Sequence, residues 1–270
     1  LEPSLYSLKT LREFKKVAIK CNVFNYPVHI KFNTGLNRLG FEPEEINLAL
    51  NTLIDASCLK VKSVFSHLAA SEDLNEKKFT DTQIERYKSL SEKFINSFDY
   101  TIIRHLCNTS GVLNYPEAQF DMVRCGIGLY GYGNSKKESE NLIPVASLKS
   151  VVSQIISVSI GESVGYNRGH ICRVDSKIAT IPIGHADGIG RHYGHNAGTV
   201  SINQQTAPIV GNVCMDMIMV DVTSINCLEG DEVVLFGSSF SAEGIAEAVD
   251  TISYELITGI SQRITRKIIK

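Results

Sequence analysis

The chain has 270 residues, a formal net charge of −2 at pH 7 and 43% hydrophobic residues. A chain of this length predicts one or two globular domains. The near-neutral charge argues against a nucleic-acid or membrane-surface protein, whose partners require a basic face, and no apolar run reaches the ~18–20 residues of a membrane span.

Seven cysteines are scattered along the chain and never occur in a Cys-x-x-Cys spacing. An odd, scattered set favours buried free thiols in a reducing cytoplasm over a disulfide framework or a metal site. The chain begins at Leu1 and has no signal-like segment. We therefore expect it to be part of a longer cytoplasmic protein.

The first half alternates strand-like and helix-like patterns. Apolar residues alternate along a strand at 28–33 and share one helical face at 43–56. The patterns further predict a strand at 61–66, a helix opened by a capping box at Thr80 and Gln83, and strands at 101–106 and 122–129. Lys20 is predicted to end a helix, because the seven residues before the next strand are too few for a crossover.

Strand–helix alternation indicates parallel strands joined by right-handed crossovers. An eight-stranded (β/α) barrel needs ~250 residues, whereas about 140 precede the change of pattern. The sequence therefore predicts an α/β unit over residues 1–140 that contains only the late strands of a TIM-type barrel.

The polar stretch 133–141 is the predicted linker to an all-β domain over residues 141–270. Short strand-like runs follow it at 146–159, 177–183, 199–203, 207–215, 217–222 and 231–236. Pro182 and Pro208 predict strand edges or bulges. An amphipathic stretch at 242–252 closes the domain.

Two cations stand close together at the end of the strand at 28–33. Lys31 lies inside the strand and Arg38 in the following loop, which in a parallel barrel belongs to the rim where active sites are built. Both fit ordinary surface groups, with the lysine reaching solvent. In a shared half-buried site they would repel each other, and a nearby anion or conversion of the lysine to an anion would relieve the conflict.

Three other segments in the first half follow predicted strands. His67 is either a packed structural histidine or a ring that stacks on a flat cofactor. Residues 108–111 (Asn-Thr-Ser-Gly) form either an ordinary turn or a set of hydroxyl and N–H donors for a phosphate. The segment 124–128 (Arg-Cys-Gly-Ile-Gly) lets backbone approach an anion closely and is not a dinucleotide fingerprint.

The β-rich half has three comparable segments. Tyr166 is either a core or interface residue or a catalytic base, and the segment 184–188 (Gly-His-Ala-Asp-Gly) fits turn chemistry. Asp216 stands between two methionines in a strand that otherwise has core composition. We expect this carboxylate to be buried, which is costly without a ligand.

Eight motifs occur in order along the chain: HIKFNTGLNRLGF, FSHLAASED, NTSG, FDMVRCGIGLYGY, SVGYNRG, IPIGHADGIGR, VGNVCMDMIMVDV and SYELITGISQRITR. Together they resemble alanine racemase over nearly the whole length. The resemblance implies pyridoxal phosphate as cofactor, a (β/α) barrel followed by a β-domain, and a homodimer paired head to tail. It also implies interconversion of L- and D-alanine by two-base proton transfer, for peptidoglycan precursors.

The same resemblance assigns roles by position. Tyr166 would be one of the two bases and would reach into the barrel of the partner chain. Arg38 would hold the substrate carboxylate, Lys31 would be carbamylated and orient Arg38, and Met215 and Asp216 would line the substrate site. The residues expected around the cofactor are His67, Asn108, Thr109, Arg124, Gly126, Ile127 and Tyr254. Arg124 would face the pyridine nitrogen and leave it unprotonated.

The chain departs from the family at one essential point. The family's second base, a Schiff-base lysine, follows the first barrel strand in an apolar-Lys-Ala/Ser-Asn-Ala-Tyr-Gly motif, which this sequence does not contain. We therefore expect that motif to precede Leu1 and this chain to be inactive alone. The Tyr-Asn-Arg variant, and His185 where tyrosine is usual, resemble racemases fused behind a cell-wall peptide ligase. The alternatives are a racemase for serine or lysine and a truncated, non-catalytic partner module.

Overall fold

The computed structural model describes residues 1–269, which form two compact units. The first unit comprises residues 1–129 and 133–141, and the second comprises residues 130–132 and 142–269. Each unit contains its own sheet and its own cluster of buried apolar residues.

The first unit is built on a parallel sheet whose strand order follows the sequence. Its strands are β1 (Ser4–Leu5), β2 (Tyr26–Lys31), β3 (Leu59–Phe65) and β4 (Ile103–His105). Its helices are α1 (Leu8–Lys20), α2 (Ile46–Ile54), α3 (Lys77–Ile95), α4 (Thr109–Asn114) and α5 (Lys136–Ser139). The first three helices connect consecutive strands, which is the arrangement predicted for part of a (β/α) barrel. The predicted end of α1 at Lys20 is confirmed.

The core of this unit joins strands and helices in one cluster of buried side chains. Val28 and Ile30 of β2 and Val64 of β3 have no exposed surface. Tyr87 ties α3 to the sheet, because its buried hydroxyl donates a hydrogen bond to the Val64 carbonyl oxygen at 2.8 Å.

The predicted capping box at Thr80 is wrong. The helix α3 begins at Lys77, after a 3-10 turn at Leu74–Glu76 that the Asp73 side chain caps. The Thr80 side chain is buried inside the helix and donates to the Ala70 carbonyl oxygen at 3.3 Å. The cap at Asp73, which lies earlier in the chain, therefore takes the place of the predicted cap at Thr80.

The predicted strand at 122–129 is also wrong for most of its length. Met122 forms a single parallel bridge with His105, and Ile127–Tyr130 forms a 3-10 helix. The amide groups of Gly126 and Gly128 donate to the Thr109 hydroxyl instead of to a neighbouring strand. Local side-chain acceptors replace the sheet ladder here.

The segment predicted as a linker, 133–141, folds onto the first unit. Glu138 in α5 is buried, and its carboxylate accepts from the Ser110 hydroxyl at 3.0 Å and the Asn114 amide at 2.6 Å. The backbone amide of Asn134 donates to the same carboxylate at 2.8 Å. The polar composition that suggested a linker belongs to this hydrogen-bonded network.

The second unit is an antiparallel sheet of seven strands beside a two-stranded ribbon. The strands are β5 (Leu148–Val151), β6 (Gln154–Val158), β7 (Ser163–Val164), β8 (His170–Ile171), β9 (Ser176–Ile181), β10 (Thr199–Ile202), β11 (Gln205–Val210), β12 (Ile218–Asp221) and β13 (Glu232–Phe236). The order across the large sheet is β5-β13-β10-β11-β12-β9-β6, and β7 pairs with β8. Two short helices follow, α6 (Ala242–Glu247) and α7 (Ser253–Gly259).

Two expectations for this unit need correction. The run 146–159 is two strands, β5 and β6, which lie at opposite edges of the sheet. Pro208 is not on an edge strand, because β11 has a neighbour on each side. The ladder to β12 starts one residue later, at Ile209, so the missing N–H of Pro208 lies at the end of that ladder. The amphipathic stretch 242–252 contains the helix α6.

All seven cysteines are free, as predicted, although Cys21 and Cys125 are exposed rather than buried. Within residues 1–269, no helix is long and apolar enough to cross a membrane.

Candidate active site

Arg124 is the centre of the polar cluster in the first unit. The segment after Met122 places its half-buried guanidinium where one amino group donates to the carbonyl oxygens of Ser66 at 2.8 Å and Leu106 at 3.0 Å. The same cation stands over the Phe65 ring, 5.4 Å from its centroid. Burial lowers the pKa of Arg124, yet a guanidinium stays protonated at any working pH.

Two histidine rings complete the surroundings of this guanidinium. Its NH1 group lies 2.6 Å from Nδ1 of His105, and its NH2 group lies 3.2 Å from Nδ1 of His67. An arginine can only donate, so Nδ1 of His105 must accept and the His105 ring must be neutral. The NH2 group has two hydrogens for three neighbours, the Ser66 and Leu106 carbonyl oxygens and Nδ1 of His67, so the His67 contact is at most a shared hydrogen bond. Burial, reinforced by the Arg124 charge, lowers the pKa of each histidine to about 4.

His105 begins a series of polar contacts that runs across the sheet. Its Nε2 lies 2.9 Å from the Ser63 hydroxyl, which lies 2.6 Å from Nδ1 of His29, and Nε2 of His29 lies 3.0 Å from the Glu2 carboxylate. With Nδ1 of His105 accepting, every hydrogen bond of this series points away from Arg124 and toward the carboxylate. The His105 ring is also stacked on Phe65 at 4.9 Å, so its position is fixed on two sides.

Lys31 and Arg38 lie where the sequence analysis predicted, at the end of β2 and in the next loop. Lys31 is only 8% exposed, and Nζ stands 5.9 Å from the Phe65 ring centroid. Burial lowers the pKa of Lys31, and the charges of Arg38 and Arg124 lower it further. Arg38 itself is exposed. The predicted conflict between cations is therefore present.

The turn at 108–111 and the segment 126–128 form a tight pair of loops. Thr109 is buried, and its hydroxyl oxygen accepts from the amide of Gly126 at 3.0 Å and from that of Gly128 at 3.3 Å. A Cβ on Gly128 would lie 2.8 Å from the Thr109 methyl carbon. Asn108 caps α4 by accepting from Gly111, and Ile127 between the two glycines is buried.

In the second unit, Tyr166 begins a short exposed turn between β7 and β8. The tyrosine is 73% exposed. Two residues of the turn have a positive φ, Asn167 (φ 57°) and Arg168 (φ 50°), and so does Gly165 just before the turn (φ 78°). The backbone thus holds the aromatic ring away from the core of its own unit.

The expected burial of Asp216 is wrong. Asp216 is exposed, as are Met215 (64%) and Met217 (44%). The strand β12 begins only at Ile218, and the preceding loop is held by hydrogen bonds from the amides of His185 and Ala186 to the carbonyl oxygens of residues 214 and 215. Because the Asp216 carboxylate is exposed to solvent, no ligand is needed to offset a cost of burial.

The buried carboxylate of this region is Asp187, within the 184–188 segment. Asp187 is 3% exposed and forms a bidentate pair with Arg263, at 2.6 and 2.9 Å. This guanidinium holds the pKa of Asp187 below its ordinary value. Asp187 also accepts from the Gly184 amide at 2.9 Å. Tyr254, the remaining predicted residue, is half-buried in α7 of the same unit.

The structure thus brings most of the predicted first-unit residues close to Arg124 or into the adjoining loops. Sequence reasoning missed Ser63 and His105. The signal for these two residues in the sequence was the presence of polar residues at regular positions on neighbouring strands. His29 and Ser63, for example, pair in register. Single polar residues in strands are too common for that signal to identify a network.

Family models match both units. The model described as "Alanine racemase, N-terminal domain" matches residues 1–134, and "Alanine racemase, C-terminal domain" matches residues 145–268. Alanine racemase 1 of Clostridium acetobutylicum is 34% identical over 279 aligned residues, which cover all of this chain and 72% of the relative.

Solved structures agree. The alanine racemase of Bartonella henselae, which has covalently bound pyridoxal phosphate, is similar at 30% identity and a TM-score of 0.86, covering 100% of this chain and 73% of the other. The alanine racemase of Bacillus anthracis with bound L-Ala-P is similar at 29% identity and a TM-score of 0.86, covering 97% of this chain and 68% of the other.

The fold and these matches define a pyridoxal-phosphate-dependent isomerase with a barrel and a β-domain, which confirms the predicted fold class. The chain belongs to the alanine racemase family.

Replacing His105 will change how stability depends on pH. The folded pKa of His105 is about 4 and the ordinary value is 6.5, so as the pH falls the unfolded chain binds the proton first. The stabilisation is complete above pH 6.5 and is lost as the pH falls toward 4, by about 3 kcal/mol in total. In His105→Asn, the free energy of unfolding measured with urea should therefore change less with pH over this range than it does in the wild type.

The control for that experiment is His185→Asn, which changes an exposed histidine and should leave the slope unchanged. Equal slopes in wild type and His105→Asn would contradict the neutral, desolvated state assigned to His105.

Proposed function

We propose that the protein containing this chain interconverts L-alanine and D-alanine with pyridoxal phosphate and thereby supplies D-alanine for peptidoglycan. Membership of the family and the surroundings of Arg124 support this proposal. We also propose a cytoplasmic location, supported by the free cysteines, and a division into a barrel part over 1–140 and a β-domain over 141–270.

The residues of the first unit fit the cofactor. The Thr109 hydroxyl oxygen accepts from the amides of Gly126 and Gly128 within 3.3 Å, and a side chain on Gly128 would collide with Thr109. The hydroxyl proton of Thr109 could then donate to a phosphate, and Asn108 and Ile127 would adjoin it. His67 and Arg124 would lie against the ring, with Tyr254 contributing from α7. When bound, pyridoxal phosphate withdraws the electron pair left at the substrate Cα.

Arg124 would set the electronic character of the cofactor ring. Its hydrogen-bond partners are two carbonyl oxygens and two imidazole nitrogens, none of which can supply a proton. A guanidinium in these surroundings donates a hydrogen bond without giving up its proton. The ring nitrogen facing it would therefore stay unprotonated.

Tyr166 would move a proton on one face of the substrate Cα. Its 73% exposure supports a role at the surface of its own unit, and we propose that it meets the barrel of a second copy in a head-to-tail homodimer. Arg38 would hold the substrate carboxylate, because a guanidinium pairs with a carboxylate through two hydrogen bonds. The exposed Met215 and Asp216 would line the substrate site.

Lys31 would carry a carbamate. In this reaction the neutral amine nitrogen attacks the carbon of CO2, a proton leaves the nitrogen, and the product is an anion. Burial and two nearby cations lower the pKa of Lys31, which favours the neutral amine, and the same cations stabilise the anionic product. The anion would pair with Arg38 and hold it in place.

We also propose that the second base, a lysine that binds the cofactor covalently, lies in a segment preceding Leu1, as in a racemase fused behind a cell-wall peptide ligase. The chain spans 72% of the length of its relative from Clostridium acetobutylicum, and the family's lysine motif does not occur in its sequence. This chain alone would then be inactive.

Tyr166→Phe in the complete protein should lower kcat/KM for racemisation by at least about 100-fold in both directions, because a positioned acid–base group contributes 10²–10⁴-fold and the two enantiomers have equal free energies. Initial rates from L- and D-alanine measure this. Tyr193→Phe is the matched control, since the Tyr193 hydroxyl is buried without a partner among residues 1–269. Full activity of Tyr166→Phe in both directions would refute its assignment as a base.

Lys31→Gln should abolish a carbamate carbon signal in ¹³C NMR spectra of protein equilibrated with ¹³C-bicarbonate, and should weaken substrate binding through Arg38. Lys62→Gln, which changes an exposed lysine on β3, should retain the signal. A carbamate signal of full intensity in Lys31→Gln would show that another lysine carries it.

Borohydride reduction distinguishes the chain alone from the complete protein. With pyridoxal phosphate present, residues 1–270 alone should give no reduced adduct of matching mass, whereas the complete protein should give one on a lysine that precedes Leu1. A stoichiometric adduct on any lysine of this chain would contradict the proposed place of the second base.

A further inference from the structure

The turn that carries Tyr166 is held by one side chain from another part of the second unit. The Asn212 amide nitrogen donates to the Tyr166 carbonyl oxygen at 2.9 Å. Asn212 follows β11, 46 residues further along the chain. Two more contacts on its amide oxygen hold this side chain: NH2 of Arg191 at 3.3 Å and Nε2 of His195 at 3.2 Å.

The orientation of the Asn212 amide follows from its partners. Arg191 can only donate, so the atom that faces it must be the oxygen. The Tyr166 carbonyl oxygen can only accept, so the atom that faces it must be the nitrogen. Reversing the amide would break both hydrogen bonds, and the donor to Tyr166 is therefore specified rather than arbitrary.

His195 reaches the other end of the same turn. Its Nδ1 lies 3.2 Å from the Gly169 carbonyl oxygen, while its backbone amide donates to the Gly211 carbonyl oxygen at 2.9 Å. Because the Gly169 and Asn212 oxygens both accept, a neutral ring donates to only one of them and an imidazolium donates to both. Asn212 and His195 thus contact the first and last residues of the turn, Tyr166 and Gly169. We call Asn212, His195 and Arg191 the turn clamp.

Close packing shows that the turn and the clamp fit each other. A Cβ on Gly169 would lie 2.8 Å from the Asn212 amide nitrogen, and one on Gly211 would lie 3.0 Å from the Val164 carbonyl oxygen. Asn167 and Arg168 have left-handed backbone conformations. Such conformations persist where surrounding contacts hold them in place. The clamp supplies such contacts on both ends of the turn.

We propose that Asn212 is a positioning residue for Tyr166: it fixes the backbone from which the phenol projects, without touching the substrate. This inference rests on the proposed role of Tyr166 as a base. A phenol 73% exposed in its own unit has little packing of its own to direct it. Its aim must then come from the backbone, and the reacting atoms need to be held within a few tenths of an ångström.

Asn212→Asp is the sharpest test, because it keeps the shape of the side chain and its acceptors for Arg191 and His195 but removes the N–H donor. A carboxylate oxygen would then face the Tyr166 carbonyl oxygen. In the complete protein with its cofactor, amide hydrogen exchange at residues 165–169 should rise, and kcat should fall about 2- to 10-fold, the range for loss of one hydrogen bond. KM should be unchanged.

Isotope effects separate positioning from general weakening. With alanine deuterated at Cα, the primary effect in Asn212→Asp should increase for the one enantiomer whose proton Tyr166 removes and stay unchanged for the other. Asn196→Asp is the matched control, because it makes the same chemical change at an exposed position of the neighbouring loop. It should alter neither exchange at 165–169 nor kcat.

Unchanged exchange together with wild-type kcat in Asn212→Asp would overturn the clamp. Raised exchange with isotope effects that are unaltered for both enantiomers would overturn its role in positioning Tyr166. Hydrogen exchange assumes nothing about catalysis. If Tyr166→Phe were fully active, the proposed function of Tyr166 would fail while raised exchange in Asn212→Asp still reported the hydrogen bond.

Discussion

A desolvated guanidinium that meets only acceptors is the interaction on which the rest of the first-unit site depends. Arg124 donates to two backbone carbonyl oxygens and to Nδ1 of His105, and Nδ1 of His67 lies near the same guanidinium. Burying a cation is costly unless it is hydrogen-bonded on most sides, and these acceptors offset the cost. Burial, reinforced by the Arg124 charge, lowers the pKa of His67 and His105 and keeps both rings neutral.

Burial and the charges of Arg38 and Arg124 together lower the pKa of Lys31. The site contains three basic side chains and two neutral histidines, and the structure places no carboxylate in hydrogen-bond contact with Arg124 or Lys31 among residues 1–269. Such an excess of positive potential adds to burial in lowering the pKa of Lys31 and His67, and it favours anions. A phosphate, a substrate carboxylate and a carbamate are all anions that the proposed function brings to this place.

The second unit has a different task, because it must hold the exposed side chain of Tyr166 in a defined direction. Its large sheet supplies the rigid end of β11, and the residues after it, Gly211 and Asn212, reach the turn at Tyr166. The ion pair between the buried Asp187 and the exposed Arg263 holds the segment 184–188. The backbone of the turn at Tyr166 is thus held in place by its neighbours, whereas the exposed side chains of the turn make few contacts of their own.

Much of the fold could be predicted from the sequence, because period-two and period-3.6 patterns identified β2, β3, α2, α3 and most strands of the second unit. The failures have local causes. The segment at 126–128 was predicted as a strand, yet its amides bond to Thr109; Asp216 was predicted as buried, yet β12 starts two residues later. Likewise, Glu138 turned an expected linker into a packed segment.

The motifs identified the candidate site residues, but not what holds them. Arg124, Lys31 and Tyr166 lie in recognisable motifs, whereas His105, Ser63 and Asn212 act through partners that are distant along the chain. A contact such as Asn212 to Tyr166 joins the end of β11 in the large sheet to the turn between β7 and β8 in the separate ribbon, and sequence periodicity alone does not determine such a contact.

The most direct test of this account concerns the atom that Arg124 is proposed to face. The complete protein would be loaded with pyridoxal phosphate labelled with ¹⁵N in the ring, and its nitrogen shift measured at neutral pH. The account predicts the shift of an unprotonated, hydrogen-bonded pyridine nitrogen, moved in Arg124→Gln. A pyridinium shift in the wild-type protein would contradict it.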